Sequence, residues 1–298
     1  MSRFEAVMAF AVQDEEDILD QKLRHHLACG FTHFHIIDHG SLDGSLDILA
    51  DYARQGVVSL IRKQRTEPAS DAWIDILLDA ARARNASAYF CLCDADEFVF
   101  PHRSLASLMD GATIHRLGRT NCFPDTDSNL WPGSDVVARF RNSIEKGFDT
   151  RSIRQKIESG APWGDVVDGL EHPLFFCDIS ANPKLFFPLG RVRKLSAGAH
   201  HVTDYSDDAA QRQVSDDAMH IRHYPMRGID GLKRRADKYR RLFDESPDLP
   251  RTWGWQNRFL VEVAARDGLA RFWDRHILPA RLAPMDGAEI RVKRLPER

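Results

Sequence analysis

Residues 88–101 read Ala-Tyr-Phe-Cys-Leu-Cys-Asp-Ala-Asp-Glu-Phe-Val-Phe-Pro. The first six are apolar or aromatic and have the length of a buried strand. The run stops at Asp94-Ala95-Asp96-Glu97 and resumes at Phe98. Three acids in four positions at the end of a buried strand are costly unless something neutralises them. A divalent cation does so, and Mg²⁺ or Mn²⁺ prefers carboxylate oxygens. In open α/β sheets, ligands sit beyond the carboxyl ends of the strands. An Asp-X-Asp at that place suits a metal that bridges a diphosphate. The tripeptide alone also fits a solvated turn, so its neighbours decide.

Upstream, strand and helix patterns alternate. Phe4 to Val12 reads as a strand, and Asp14-Glu15-Glu16-Asp17 opens a helix where acids favour the dipole. Ile18, Leu19, Leu23, His26 and Leu27 recur at helical spacing, and Gly30 closes the helix. Phe34-His-Ile-Ile37 is a second strand, followed by the turn-rich loop Asp38-His-Gly-Ser-Leu-Asp-Gly44. Helices over 45–52 and 72–83 bracket a strand over 56–61. This alternation predicts a parallel sheet flanked by helices. Beyond about residue 100 the rhythm fades, and 121–170 reads as long binding loops. Short strands are expected at 174–177, 184–187 and 218–224. Ile229, Leu232, Ala236, Tyr239 and Leu242 trace one face of a basic helix. A helix pair over 256–277 and a surface tail over 288–298 complete the reading. The expected division is a catalytic domain at 1–245 and a helical appendage at 246–298.

The 298 residues are 43% hydrophobic and 29% charged, as in ordinary globular proteins. A net charge of −3 gives no basic field for nucleic acid. No apolar run approaches membrane-span length. The N-terminus does not read as a signal peptide. The five cysteines are odd in number, and Cys91-X-Cys93 lacks a second pair at zinc spacing. They read as reduced core residues, which points to a cytosolic protein.

Four features then stand in order. Asp14 and Glu15 end the first strand, and Asp38 to Ser45 follows the second. Asp94 to Phe98 ends the fourth, and His220-Ile-Arg-His223-Tyr-Pro-Met-Arg227 comes late. A carboxylate such as Asp38 can accept hydrogen bonds from a uracil or a ribose. Neutral imidazole at His223 is a competent Mn²⁺ ligand; the competing reading is a core histidine, favoured for His220.

With these motifs, the sequence resembles glycosyltransferases of the GT-A fold, in the family 2-like group bordering family 92. The resemblance rests on residues 13–26, 38–45, 94–98 and 223–227. It departs where Asp14-Glu15 and Gln21-Lys22 replace the usual Asn-Glu and Glu-Trp, and where Gly228 follows Arg227. It implies a mixed, mainly parallel α/β sheet and a metal-dependent, inverting transfer of sugar from a nucleotide-sugar donor, UDP-sugar favoured. A glycan or other hydroxyl acceptor would receive the sugar. It places Asp14, Glu15, Asp38, Asp94 and Arg227 at the donor, and Asp94, Asp96 and His223 at Mn²⁺ or Mg²⁺; apart from the resemblance, Lys233 or Lys238 of the basic helix can reach the donor's diphosphate. Lys184 and His200 fall where the family often has a Lys and a Gly-X-His. No general base is assigned; Asp125, Asp127, Asp165 and His201 are the candidates. The basic helix at 229–243 reads chiefly as a solvated face, and it allows peripheral contact with the inner membrane surface. The alternatives are a nucleotidyltransferase of sugar phosphates, against which the acidic Gln13-Asp-Glu15 argues, and a non-catalytic nucleotide-sugar-binding domain.

Overall fold

The period-2 apolar runs become strands and the period-3.6 runs become helices in a computed structural model. It describes residues 4–65, 72–124, 131–144, 151–169, 182–207, 214–215, 218–277 and 292–296. In chain order the first elements are β1 (Ala6–Val12), α1 (Leu19–Cys29), β2 (His33–Asp38), α2 (Ser45–Arg54), β3 (Val58–Arg62), α3 (Ala72–Asn85) and β4 (Tyr89–Leu92). They match the expected alternation closely. Gly30 takes the left-handed conformation at φ 103° and ends α1, as its missing Cβ permits. The acids 14–17 precede α1 rather than opening it, because Glu15 O already accepts from Ile18 and Leu19 N–H in a tight turn.

The remaining strands of the sheet are β5 (Glu97–Pro101), β6 (Ile114–Asn121), β7 (Lys184–Pro188) and β8 (Met219–His223). The sheet order is β3-β2-β1-β4-β7-β6-β8-β5, with Val214–Ser215 beside β6. The β3-β2-β1-β4 half is parallel. β7 runs antiparallel between β4 and β6, and β8 runs antiparallel to β5. The fold class is therefore the mixed α/β sheet flanked by helices that the sequence implied. Both faces are buried. Met8, Phe10, Phe34 and Ile36 meet Leu19 and Leu23 of α1 on one side. Val7, Ala9, Ile37 and Phe90 meet Trp73, Leu77 and Leu78 of α3 on the other. Buried strands of this kind read as continuous apolar runs, which is why they were visible.

The chain separates into two compact units. The first holds residues 1–120, 131–134 and 181–223; the second holds 121–130, 135–180 and 224–298. Residues 224–245 fall in the second unit, together with the C-terminal helices. In the second unit α4 (Ile229–Glu245) packs with α5 (Trp255–Ala265) and α6 (Leu269–His276). Leu232, Ala236, Phe259, Leu260 and Trp273 form its core. The expected tail over 288–298 is corrected in part: Val292–Arg294 pairs antiparallel with Asn142–Ile144. The strand expected at 174–177 lies outside the described residues. Among the described residues, no helix is long and apolar enough to cross a membrane.

The price of burying the β2 histidines sets a pH limit. His35 is 3% exposed, and neither ring nitrogen has a hydrogen-bond partner. Burial, then the charges of His33 and Arg84, push it down to about 4 from 6.5. The unfolded chain therefore takes up a proton near pH 6.5 that the folded chain refuses until about pH 4. Stability is full above that window and falls as pH drops through it, by up to about 3 kcal/mol from this residue. Urea unfolding at pH 7 and pH 4.5 should show the fall, and His35→Leu should flatten it. An equally steep fall in the variant would contradict this account.

Candidate active site

The parallel strands β1, β2 and β4 end side by side, since Val12 pairs in register with Asp38 and Ala9 with Leu92. Their following loops are therefore neighbours. The loops after β1 and β2 are laced together. Asp14 and Glu15 N–H donate to Ser41 and Ser45 Oγ at 3.1 and 2.8 Å. Glu16 N–H donates to Asp43, and Gly44 N–H donates back to Glu16. Asp14 accepts from Leu42 N–H at 2.8 Å and pairs with Arg65 at 2.7 Å. Gly40 has φ 64°, and a Cβ there would meet Arg65 N at 2.8 Å, so only glycine fits this approach. The Asp14 carboxylate thus ties two loops together, whatever else it touches.

Asp38 is fully buried at the end of β2. Its Oδ1 accepts from Ser41 N–H at 3.3 Å, while Oδ2 has no hydrogen-bond partner. Buried acceptors without a partner are uncommon in folded proteins. Gln13, one residue past β1, also keeps a buried Oε1 without a partner, and its amide N–H donates to His39 O at 3.1 Å.

The turn after β4 carries three acids, Asp94, Asp96 and Glu97. Glu97, the first residue of β5, is 0% exposed. It accepts Asp94 N–H at 2.9 Å, and its own N–H donates to Asp94 O at 3.1 Å, closing the turn. Its carboxylate pairs with Arg119 of β6 and lies 3.8 Å from Lys184 Nζ of β7. Lys184 also reaches Asp94 Oδ1 at 3.3 Å, and Arg119 lies 3.7 Å from Asp94 Oδ2. Behind the turn, buried Lys22 of α1 donates to Asp94 O at 3.0 Å and Glu97 O at 2.5 Å. Desolvation raises the Asp94 carboxyl, but Lys184 and Arg119 outweigh it and hold the pKa below the usual range. Burial lowers Lys184, and Asp94 and Glu97 more than restore it, so its pKa lies above the ordinary lysine value. Lys184 and Arg119 therefore offset part of the negative charge of the turn.

Asp96 completes the turn. Its Oδ2 stands 3.4 Å from His223 Nε2 at the end of β8. β8 pairs with β5 so that His223 lies opposite Glu97. His220, three residues earlier, stacks on Phe100 and faces His102 at 3.2 Å. The two histidines of the motif therefore take different surroundings. A Mn²⁺ or Mg²⁺ ion suits two carboxylates with an imidazole. Asp96 and His223 already converge, and the Asp94 side chain is 56% exposed beside them. Among the described residues no three such ligands are preassembled. Asp96 and His223 approach each other, while the Asp94 carboxylate is held by Lys184.

Of the expected donor residues, Asp14, Glu15, Asp38 and Asp94 gather at these strand ends. Arg227 and Lys233 belong to the second unit, where Arg227 donates to Tyr224 O at 3.2 Å and Lys233 is exposed on α4. Lys184 proves buried and beside Asp94, and His200 Nδ1 lies 3.1 Å from Pro183 O. Asp125 and Asp127 lie outside the described residues; His201 is exposed, and Asp165 is exposed in the second unit. Arg119 carried no motif, and Lys22 entered only as a departure from the family pattern within residues 13–26. Arg119 sits on β6, which the sequence reading missed, and Lys22 is one charge on an otherwise amphipathic helix.

The model of glycosyltransferase family 92 matches residues 7–241. No curated protein matches significantly. Among solved structures, the chain is similar to S. aureus TarS 1–349 at 12% identity, covering 92% of this chain and 72% of that one, with TM-score 0.36. The same TarS fragment in complex with UDP gives 12% identity, the same coverages and TM-score 0.38. S. aureus TarS gives 13% identity over 93% of this chain and 44% of that one, with TM-score 0.37. These likenesses are too distant to transfer any property.

Lys22→Met would remove the Nζ donor from the buried Glu97 O and from Asp94 O, which keeps the Glu97 N–H. An under-satisfied buried acceptor costs about 1–3 kcal/mol, so urea unfolding should show a loss of that order. Unchanged stability would mean that the turn closes without Lys22.

Proposed function

The chain belongs to glycosyltransferase family 92, and we propose that it moves a sugar from a nucleotide-sugar donor to a hydroxyl acceptor with the help of a divalent cation. The single observation that carries the reading is the approach of Asp96 and His223, far apart in sequence and 3.4 Å apart in space. Asp94, Asp96 and His223 would hold Mn²⁺ or Mg²⁺, which when bound offsets the charge of the departing nucleoside diphosphate. The orphan Oδ2 of Asp38 accepts a hydrogen bond from the base or ribose of the donor. UDP-sugar is the favoured donor, because uracil N3–H and the ribose hydroxyls can both meet such an acceptor. Single displacement at the anomeric carbon inverts its configuration and draws on a base at the acceptor hydroxyl.

Calorimetry with UDP, with and without Mn²⁺, tests the metal. Asp96→Asn and His223→Ala should each lose the Mn²⁺-dependent gain in affinity, by about 10-fold or more, with little change in stability. A retained gain would sink the ligand assignment, and so would a His223→Ala protein that unfolds while its folded fraction keeps the gain.

Asp38→Ala should weaken uridine and UDP alike, by about tenfold for one lost hydrogen bond to a charged group. Unchanged uridine affinity would remove Asp38 from the nucleoside pocket.

A further inference from the structure

Arg119 and Lys184 have no task in the reading above, yet the fold goes to some length to bury them. The Lys184 side chain is 1% exposed and that of Arg119 is 10% exposed. Arg119 Nε is buried with no hydrogen-bond partner. Both cations converge on two carboxylates of different character. Glu97 is fully buried, tied to Asp94 N–H, and fixed. The Asp94 side chain is 56% exposed and meets the cations only at 3.3 and 3.7 Å. Lys184 has one further partner, Gly198 O at 3.0 Å. What remains if Asp94 swings away is a partly open place with two buried cations, one of them a planar fork that matches phosphate oxygens.

We propose that Arg119 and Lys184 form the seat of a diphosphate, that Glu97 is the positioning residue holding both cations there, and that the Asp94 carboxylate occupies the seat in the resting protein. As the diphosphate of a nucleotide sugar, this ligand rests on the reading given under Proposed function. The seat lies beside Asp96 and His223, and the phosphates replace the Asp94 carboxylate at Lys184 and Arg119, so neither cation becomes a lone buried charge.

The exchange makes a signed prediction that needs no metal. In EDTA, with inorganic pyrophosphate as probe, Asp94→Asn removes the resident competitor and should bind about tenfold more tightly than the unaltered protein. With UDP and uridine compared in EDTA, Lys184→Gln, Arg119→Gln and Glu97→Gln should each weaken UDP about tenfold and leave uridine unchanged. A merely structural role would move both ligands together. Pyrophosphate binding that is equal or weaker in Asp94→Asn overturns the proposal, as does a UDP-to-uridine ratio that none of the other variants changes. Should Glu97→Gln or Arg119→Gln fail to fold, the Asp94→Asn result decides alone. If the protein binds pyrophosphate in the expected pattern but neither uridine nor UDP with or without Mn²⁺, the nucleotide-sugar reading falls and the anion seat stands.

Discussion

The buried carboxylate of Glu97 is the constraint on which the rest of the site depends. A charge with no exposure is tolerated only when partners and hydrogen bonds satisfy it. Here those partners come from four elements: Arg119 from β6, Lys184 from β7, the backbone of the turn, and through that turn Lys22 from α1. One side chain thus ties the antiparallel half of the sheet to the end of the parallel half. Removing a single member of such a buried cluster typically costs about 3–5 kcal/mol, so the arrangement is fixed strongly even where its net contribution to stability is small. The exposed Asp94 and the Asp96–His223 pair are displayed on this support.

Much of this was legible in the sequence, and for identifiable reasons. The parallel strands are buried on both faces, so their apolar runs stand out, and the acids that interrupt them mark strand ends. The turn at Asp94–Glu97 and the loop at Asp38–Ser45 were visible for that reason. His223 was legible as a ligand candidate only through its motif, and its closeness to Asp96 follows from the antiparallel pairing of β5 and β8, which no local pattern encodes.

What escaped the sequence is equally specific. Arg119 lies in Ile-His-Arg-Leu-Gly-Arg-Thr-Asn, whose polar residues hide a strand that is buried mainly at Ile114, His115 and Leu117. A lone Lys22 on α1 looks like a solvated charge until α1 is laid against the turn. Both omissions have one origin: the basic residues stand beside the three acids only in the tertiary structure, so the sequence shows the acids without them. The part Asp14 plays in joining two loops through Leu42 and Arg65 was likewise not visible in the sequence.

The central claim is that the 94–97 turn receives the cation and diphosphate of a nucleotide sugar on a support built by Glu97. A crystal structure with Mn²⁺ and UDP, recorded at the manganese absorption edge, tests it most directly. The account predicts an anomalous peak in contact with Asp96 and His223, with a phosphate oxygen within hydrogen-bond distance of Arg119 or Lys184 and Asp94 turned away from them. Manganese bound elsewhere, or UDP phosphates clear of both cations while Asp94 keeps its ion pairs, would contradict it.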